Sequence, residues 1–597
     1  MIHQQNLRQT AQFGLIAGAI TLTACMIGIV GAFDQRDIIT DYFTLGQLLL
    51  YSAAFVAGYL VVSRQSFAPK WAALLHGLIA GLLSGVPLLL LVLLTLSWEN
   101  IREAFINVSP ELIGIITLGK ESMVRGSFQL IGIFGLLGLL GALSALISPR
   151  IRQAVITGLS WALGLGIMSE ILIGILRPRL STDTMKLLFG NVGLQLYAFI
   201  ILAIVIILAS FLWNFVGREQ YQQMQARLSP QQKRWSRRTA IVLLFIFIMI
   251  LPSLLGVYLS EIFNNVGLYI LMGLGLNIAV GMAGLLDLGY VTNFAVGAYI
   301  MALLTSTSEY GLSEPISFWL ALPICVLAAM FTGFFFALPV LKMRGDYLAI
   351  ATLGFGEIVR VLARSDALKE LIGGAQGILQ IPQAALVGAG GSVITAVVIP
   401  INNFLSRFNL SILTGADGEI VFGTPPQLFY LILLGCLLML FISNRLNNSR
   451  TGRRWMAIRE DEDVAGAMGI NTTNAKVIAF TLSAASGGLA GAIFAAKLGS
   501  IFPHSFQLLI SINVLSLIIV GGLGSIPGII VGAFALVGIP ELLREFAEFR
   551  LLLYGVALIV MMLVRPEGLW PSEARKRELQ VDEEISGGVT AVAPGTD

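Results

Sequence analysis

Residues 450–491 read RTGRRWMAIREDEDVAGAMGINTTNAKVIAFTLSAASGGLAG, a compact polar excursion that runs directly into a long apolar stretch. Asp461, Glu462 and Asp463 suit the first turn of a helix, where carboxylates meet the positive end of the macrodipole. Val464, Ala467 and Met468 follow at i, i+3 and i+4, on one face. Gly469 then stands where a left-handed residue would stop the helix. A short helix across the mouth of a membrane bundle, with an apolar face to dock, is something a soluble partner could push on. A solvated loop with an incidental helical turn explains the same pattern equally well.

The rest of the chain supplies the bundle. Hydrophobic residues make up 56% of it and charged residues 12%, with a mean hydropathy of +0.86. A water-soluble fold carries about 25% charged residues. Repeated apolar runs of roughly 20 residues with almost no charge give an all-α class, a polytopic helical membrane protein. The short alternating segments of a membrane β-barrel do not occur. A net charge of +3 is too small to point to nucleic acid. Cys25, Cys325 and Cys436 each lie inside an apolar run and read as small core residues. With His3, His76 and His504 scattered, and no HExxH or CxxC, no metal site is expected. The first run, 13–32, is long for a signal peptide and is followed by no small-residue cleavage site, so it reads as a retained span.

Apolar runs near 12–32, 46–63, 72–97, 127–148, 153–176 and 194–216 precede the basic segment 217–238, GREQYQQMQARLSPQQKRWSRR. Its excess of Arg and Lys places that segment in the cytoplasm. The short loops agree: Arg64, Lys70, Arg150 and Arg152 fall inside, whereas Asp34, Asp37, Asp41, Glu99, Glu103, Glu111, Glu121 and Asp183 fall outside. Runs near 239–259, 264–284, 289–306, 317–341, 346–363 and 427–444 then return the chain to the cytoplasm at Arg445. Lys342 and Arg344 fall inside, and a long segment, 364–427, falls outside. Within it, 391–404 is apolar but short and broken by Pro400, as an interfacial or re-entrant piece would be. Runs near 475–498, 508–523, 526–541 and 551–566 bring the total to about 15–16 spans, with both termini cytoplasmic. The expected organisation is an N-terminal extension over 1–216, a basic linker over 217–238, a second unit over 239–570 carrying the polar segment 445–476, and a disordered tail over 571–597.

The second unit reads as the working part. GLLDLGYVTNF (284–294) and GGLGSIPG (521–528) interrupt hydrophobic runs. Non-helical backbone at membrane depth is tolerated only against protein or a water-filled pathway. Ionisable residues inside spans default to functional hypotheses, and Glu170, Asp287 and Glu357 are such residues. Glu357 has Arg360 at i+3, so a helix-face pair explains it at least as well as substrate contact. Asp287 has no nearby base and leans to a pathway or backbone-capping role. Glu170 stays open between an interhelical pair and a function.

Four blocks make the pattern specific: GLLDLGYVTNFAVGAY (284–299), LKMRGDYLAIATLGFGEIVR (341–360), GGAQGI (373–378) and GRRWMAIREDEDVAGAMGI (452–470). In order and spacing they closely resemble the LivM-type permease of branched-chain amino-acid ABC importers, over roughly 260–570. Residues 1–238 match no part of that pattern. The resemblance implies a permease subunit in a prokaryotic plasma membrane. Its partners would be a LivH-type permease, two LivG/LivF-type ATPase subunits and an extracytoplasmic amino-acid-binding protein. It implies that Ala457, Arg459, Glu460, Asp461, Glu462, Asp463, Ala465 and Gly469 belong to the segment that couples to an ATPase. It assigns Gly284, Asp287, Leu288, Gly289, Tyr290, Asn293, Thr352, Glu357, Gly373, Gly374 and Gly377 to the translocation path. Ile372 stands where much of the family has Thr, so no hydroxyl contribution is expected there.

No GxxxxGK[ST] occurs, so ATP and Mg belong to the partner chains. The chain itself is expected to bind no cofactor and to catalyse no reaction. Alternating access is the expected mechanism. Alternatives are the same machinery carrying urea or short amides, and an ion-coupled secondary transporter, which would need a cluster of midplane carboxylates. An integral-membrane enzyme would need a Ser/His or His/Asp constellation, for which the histidines are too scattered.

Overall fold

A computed structural model describes residues 2–65, 67, 70–98, 103, 105–119, 122–177, 180–190, 193–214, 220, 224, 229–340, 346–386, 420–542, 549–565 and 567–571. Residues 342–344, the apolar piece 391–404, Glu99, Glu121, the first part of the basic segment 217–238 (217–228, apart from 220 and 224) and the tail beyond 571 lie outside the described residues. The chain divides into two units, Met1–Ile241 and Val242–Asp597.

In the first unit, α1 (Ile2–Ile27) and α2 (Ile29–Asp34) are separated by Gly28 and lead into a two-stranded antiparallel sheet, β1 (Asp37–Ile39) and β2 (Phe43–Thr44). Thr44 and Gln47 form a capping box at the start of α3 (Leu45–Arg64). Then follow α4 (Lys70–Ser97), α5 (Pro110–Ile116), α6 (Met123–Leu146), α7 (Pro149–Ile167), α8 (Ser169–Leu176), α9 (Thr182–Leu188) and α10 (Leu196–Leu212). Small residues let α3, α4 and α6 approach closely: a Cβ on Gly138 would lie 2.4 Å from the Gly77 carbonyl oxygen, and one on Gly58 would lie 2.0 Å from that of Gly138. The run 153–176 is not one straight span, because α7 and α8 meet at 68°. Glu170, in the first turn of α8, pairs at 3.7 Å with the buried Arg36, so the open choice for Glu170 goes to an ion pair.

Helix α11 (Gln231–Pro252) carries the boundary between the units. In the second unit, α12 (Leu255–Met282) finishes in a π-turn over Ile278–Met282, and α13 (Tyr290–Thr305) begins after a non-helical break. Next come α14 (Phe318–Val340), α15 (Asp346–Arg364) and the short α16 (Lys369–Ile372). The long segment after α15 holds an antiparallel pair, β3 (Ala384–Leu386) with β4 (Ile420–Phe422). Then come α17 (Pro425–Asn447), α18 (Arg450–Glu460), α19 (Glu462–Ala467), α20 (Thr472–Leu498), α21 (Leu508–Gly521), α22 (Ile526–Leu542) and α23 (Arg550–Val564). The core centres on α20. A Cβ on Gly491 would lie 2.0 Å from the Phe294 carbonyl oxygen of α13, and one on Gly488 would lie 2.4 Å from the Ala329 Cβ of α14. Only glycine permits those two crossings.

The chain is thus a polytopic helical membrane protein. Among the described residues, 10 helices are long and apolar enough to cross a membrane, or 11 with the bent pair counted. Hydropathy alone suggested more because it does not see where a helix stops. Leu196–Leu212, Tyr290–Thr305 and Ile526–Leu542 are apolar but shorter, and α15 carries Asp346, Glu357, Arg360 and Arg364. The breaks expected in the second half are present at 283–289 and 522–525.

Candidate functional site

The break between α12 and α13 is built from backbone groups that find side-chain partners. Gly284 takes a left-handed φ of 71° and turns the chain, while the Leu285 N–H donates to the Ala279 carbonyl at 2.9 Å. The buried Asp287 carboxylate accepts the Gly289 N–H at 3.0 Å, closing an Asx-type turn that starts α13. Thr352 of α15 accepts the Leu288 N–H at 3.1 Å, and a Cβ on Gly289 would come within 2.3 Å of the Thr352 carbonyl oxygen. Ser511 of α21 accepts the Val291 N–H at 3.0 Å. The Tyr290 hydroxyl meets Ser486 Oγ of α20 at 2.9 Å. One irregular segment is therefore fastened to three helices. Asn293, one turn further, accepts from Thr332 Oγ1 of α14 at 3.3 Å.

The second break is tied to the first. Gly522 and Gly524 both adopt positive φ, and the Gly524 N–H donates to Asn277 Oδ1, one residue before the π-turn, at 3.1 Å. From the other side, the Leu569 and Trp570 N–H groups donate to the carbonyls of Val520 and Gly521 at 2.8 and 2.9 Å.

The polar excursion reaches the same place. Asp461 caps α19 by accepting the N–H groups of Asp463 and Val464 at 2.9 and 3.0 Å, and Gly469 ends it with a φ of 85°. Helix α18, which precedes it, escaped the sequence reading; Ser449 caps it by accepting the Gly452 N–H at 3.1 Å. The buried Trp455 donates Nε1–H to the Ala475 carbonyl at 2.8 Å, and Lys476 pairs with Glu462 at 2.6 Å, so both short helices are anchored to the start of α20. Val464 and Met468 stay exposed, at 58% and 80%, whereas Ala465 is buried at 3%. The last turn of α18 makes the decisive contact. Arg459 donates to the Gly281 carbonyl inside the π-turn at 2.6 Å, and its Cγ lies 3.0 Å from where a Cβ on Gly284 would stand. Ala457 is half-buried, and Glu460 is exposed.

At the opposite ends of α13 and α20, Gly373, Gly374 and Gly377 all take positive φ. Ile378 and Ile501 exchange two backbone hydrogen bonds of 2.9 and 2.8 Å, and Ser306 donates to the Leu379 carbonyl at 2.6 Å. This loop is pinned well away from the break at 283–289. Glu357 forms a salt bridge with Arg360 on the same helix, the pair expected from their spacing.

Beside this network, α13 and α15 line a cavity of about 330 Å³. None of the residues assigned to the path from the sequence lines it. They surround it: Tyr290 and Asn293 on other faces of α13, Glu357 beside Gly356, and Gly373 beside Ile372. Thr292 and Tyr299, which do line it, were passed over. Once α13 is known to start at Tyr290, their spacing of seven, two helical turns, puts them on one face.

Residues 258–564 match the family described as branched-chain amino acid transport system / permease component. The high-affinity branched-chain amino acid transport system permease protein LivM of Escherichia coli is 43% identical over 304 residues, 51% of this chain and 68% of that protein. LivH of the same organism is 26% identical over 323 residues, 52% of this chain and 95% of that protein. A probable branched-chain amino acid transport permease protein LivM of Methanocaldococcus jannaschii is 22% identical over 350 residues, 51% of this chain and 91% of that protein. No solved structure matches. The family match begins at residue 258, after the whole of the first unit.

Proposed function

The chain belongs to the branched-chain amino acid transport permease family, and from that premise we propose that its second unit forms a translocation path worked by separate ATPase chains. The observation that carries this reading is the Arg459–Gly281 hydrogen bond, because it joins a surface segment to a broken membrane helix. The exposed Val464 and Met468 offer an ATPase something to grip, and the Lys476–Glu462 and Trp455–Ala475 contacts make the grip rigid. A push on α19 then passes through α18 to the π-turn, and through Asn277 to the second break. Movement there opens the path alternately to either side. Partner chains supply ATP and Mg, a second LivH-type permease completes the pore, and an extracytoplasmic binding protein delivers the amino acid. The polar excursion, the basic linker and both termini face the cytoplasm.

Ion coupling has less support. Asp287 is engaged in a local turn, Glu357 in a pair with Arg360 and Glu170 in a pair with Arg36. The direct test is Arg459→Ala in the assembled transporter. Leucine uptake should fall about tenfold or more while ATP hydrolysis persists, because the load path is cut and the motor is not. Uptake and hydrolysis falling together, or neither changing, would overturn this route of coupling.

A further inference from the structure

The exposed face of α15 suits neither lipid nor water. Tyr347, Ile350, Gly354, Glu357, Val361 and Arg364 recur every three or four residues and form one stripe along the helix. The helix lies beside α13: its Thr352 meets the Leu288 N–H at the start of that helix, and its Ala363 shares a cavity wall with Tyr299 farther along. Glu357 and Arg360 fall between those two levels, within the depth of the span. Arg360 Nε donates to Glu357 Oε2 at 3.0 Å, yet the Glu357 side chain is still 46% exposed. Such a pair is costly against hydrocarbon. Water would suit the pair but not Tyr347, Ile350 and Val361, each more than half exposed in the same stripe. The neighbouring α14 is the contrast. Its exposed residues include Leu320, Leu327, Phe331 and Phe335, and it holds no charged residue, a surface that lipid satisfies. Only a protein surface meets both halves of the α15 stripe.

We infer that this stripe is the surface on which the second permease sits, by a helix that crosses at Gly354 and presents polar groups to Glu357 and Arg360. A Cβ on Gly354 would meet nothing within 4 Å, so the chain leaves open space at that point. Small residues let the backbones of two membrane helices approach, and polar side chains then hydrogen-bond between them. A LivH-type permease is a relative of this chain, so it would offer a helix equivalent to α15. Two related chains meeting by the same face make a quasi-twofold contact. The inference rests on the permease reading above and gives the second permease a place on this chain.

The test uses the full chain, affinity-tagged, in its native membranes. The photoreactive residue p-benzoylphenylalanine is placed at Ile350 or Val361 of α15, and at Leu327 of α14 as the lipid-facing control. After illumination, mass spectrometry identifies the adducts. The two α15 positions should yield adducts with a second permease of this family, and Leu327 should yield none. Gly354→Leu should lower the amount of second permease recovered with the chain about tenfold. It should leave the abundance of the chain and its thermal midpoint in detergent unchanged, because the added side chain enters space that only a partner fills. Adducts at Ile350 and Val361 with another copy of this chain, or with lipid alone, would overturn this face. So would recovery of the second permease at the wild-type level by Gly354→Leu, and in both cases the permease reading would stand. A wild-type chain that brings down no second permease at all would overturn the permease reading itself.

Discussion

Gly289 shows how little room the first break has. Its φ is negative, so the conformation is open to any residue; what excludes a side chain is the Thr352 carbonyl, 2.3 Å from the position of a Cβ. Backbone cannot step aside as a flexible side chain can. Gly289→Ala should therefore destabilise the protein by about 1–3 kcal/mol, read as a lower thermal aggregation midpoint in detergent. Gly354→Ala, in α15 with nothing within 4 Å of the added methyl, is the matched control and should leave the midpoint unchanged or slightly raised. Equal behaviour of the two variants would contradict the packing described here. Asp287 belongs to the same scale: burial and the Gly289 hydrogen bond make it a turn former, the capping half of the two roles open from sequence.

The decisive element is α19, and much of it was legible beforehand. Acids at the start, a glycine at the end and an apolar i, i+4 pair are local signals, and local signals survive without knowledge of the fold. Which residue of the helix turns inward is a tertiary fact. Ala465, grouped with the docking residues by resemblance, packs in the core, while Val464 and Met468 face outward. The substitutions should separate accordingly. Val464→Asp and Met468→Asp should cut ATP-driven leucine uptake about tenfold at normal membrane abundance. Ala465→Asp should lower abundance itself, because it buries an unpaired charge. Immunoblots of membranes beside uptake assays read both, and the reverse order would remove α19 as the docking element. Helix α18 was missed because basic residues fill its sequence and its apolar content is small: Trp455 and Ile458 are buried beneath a surface of arginines.

At the scale of the whole molecule, membrane class followed from composition and helical class from the runs of roughly 20 apolar residues, since in lipid each span must satisfy its own polar backbone. Span number did not follow, because a run such as Leu196–Leu212, Tyr290–Thr305 or Ile526–Leu542 is as apolar as a span but shorter, and the partners that hold the breaks at 283–289 and 522–525 lie far away in sequence. The first unit has its own glycine-spaced helix packing and falls outside the family match. A chain lacking residues 1–216 should therefore still insert and support measurable leucine uptake with its partner subunits. Complete loss of uptake at normal insertion would make the first unit part of the path or of its assembly. Within the second unit, Arg459 of α18 holds the Gly281 carbonyl at the end of α12, beside the first break, and Asn277, four residues before Gly281 on α12, holds the second. That arrangement is an interlock. A displacement of either break is therefore felt at the other through the end of α12.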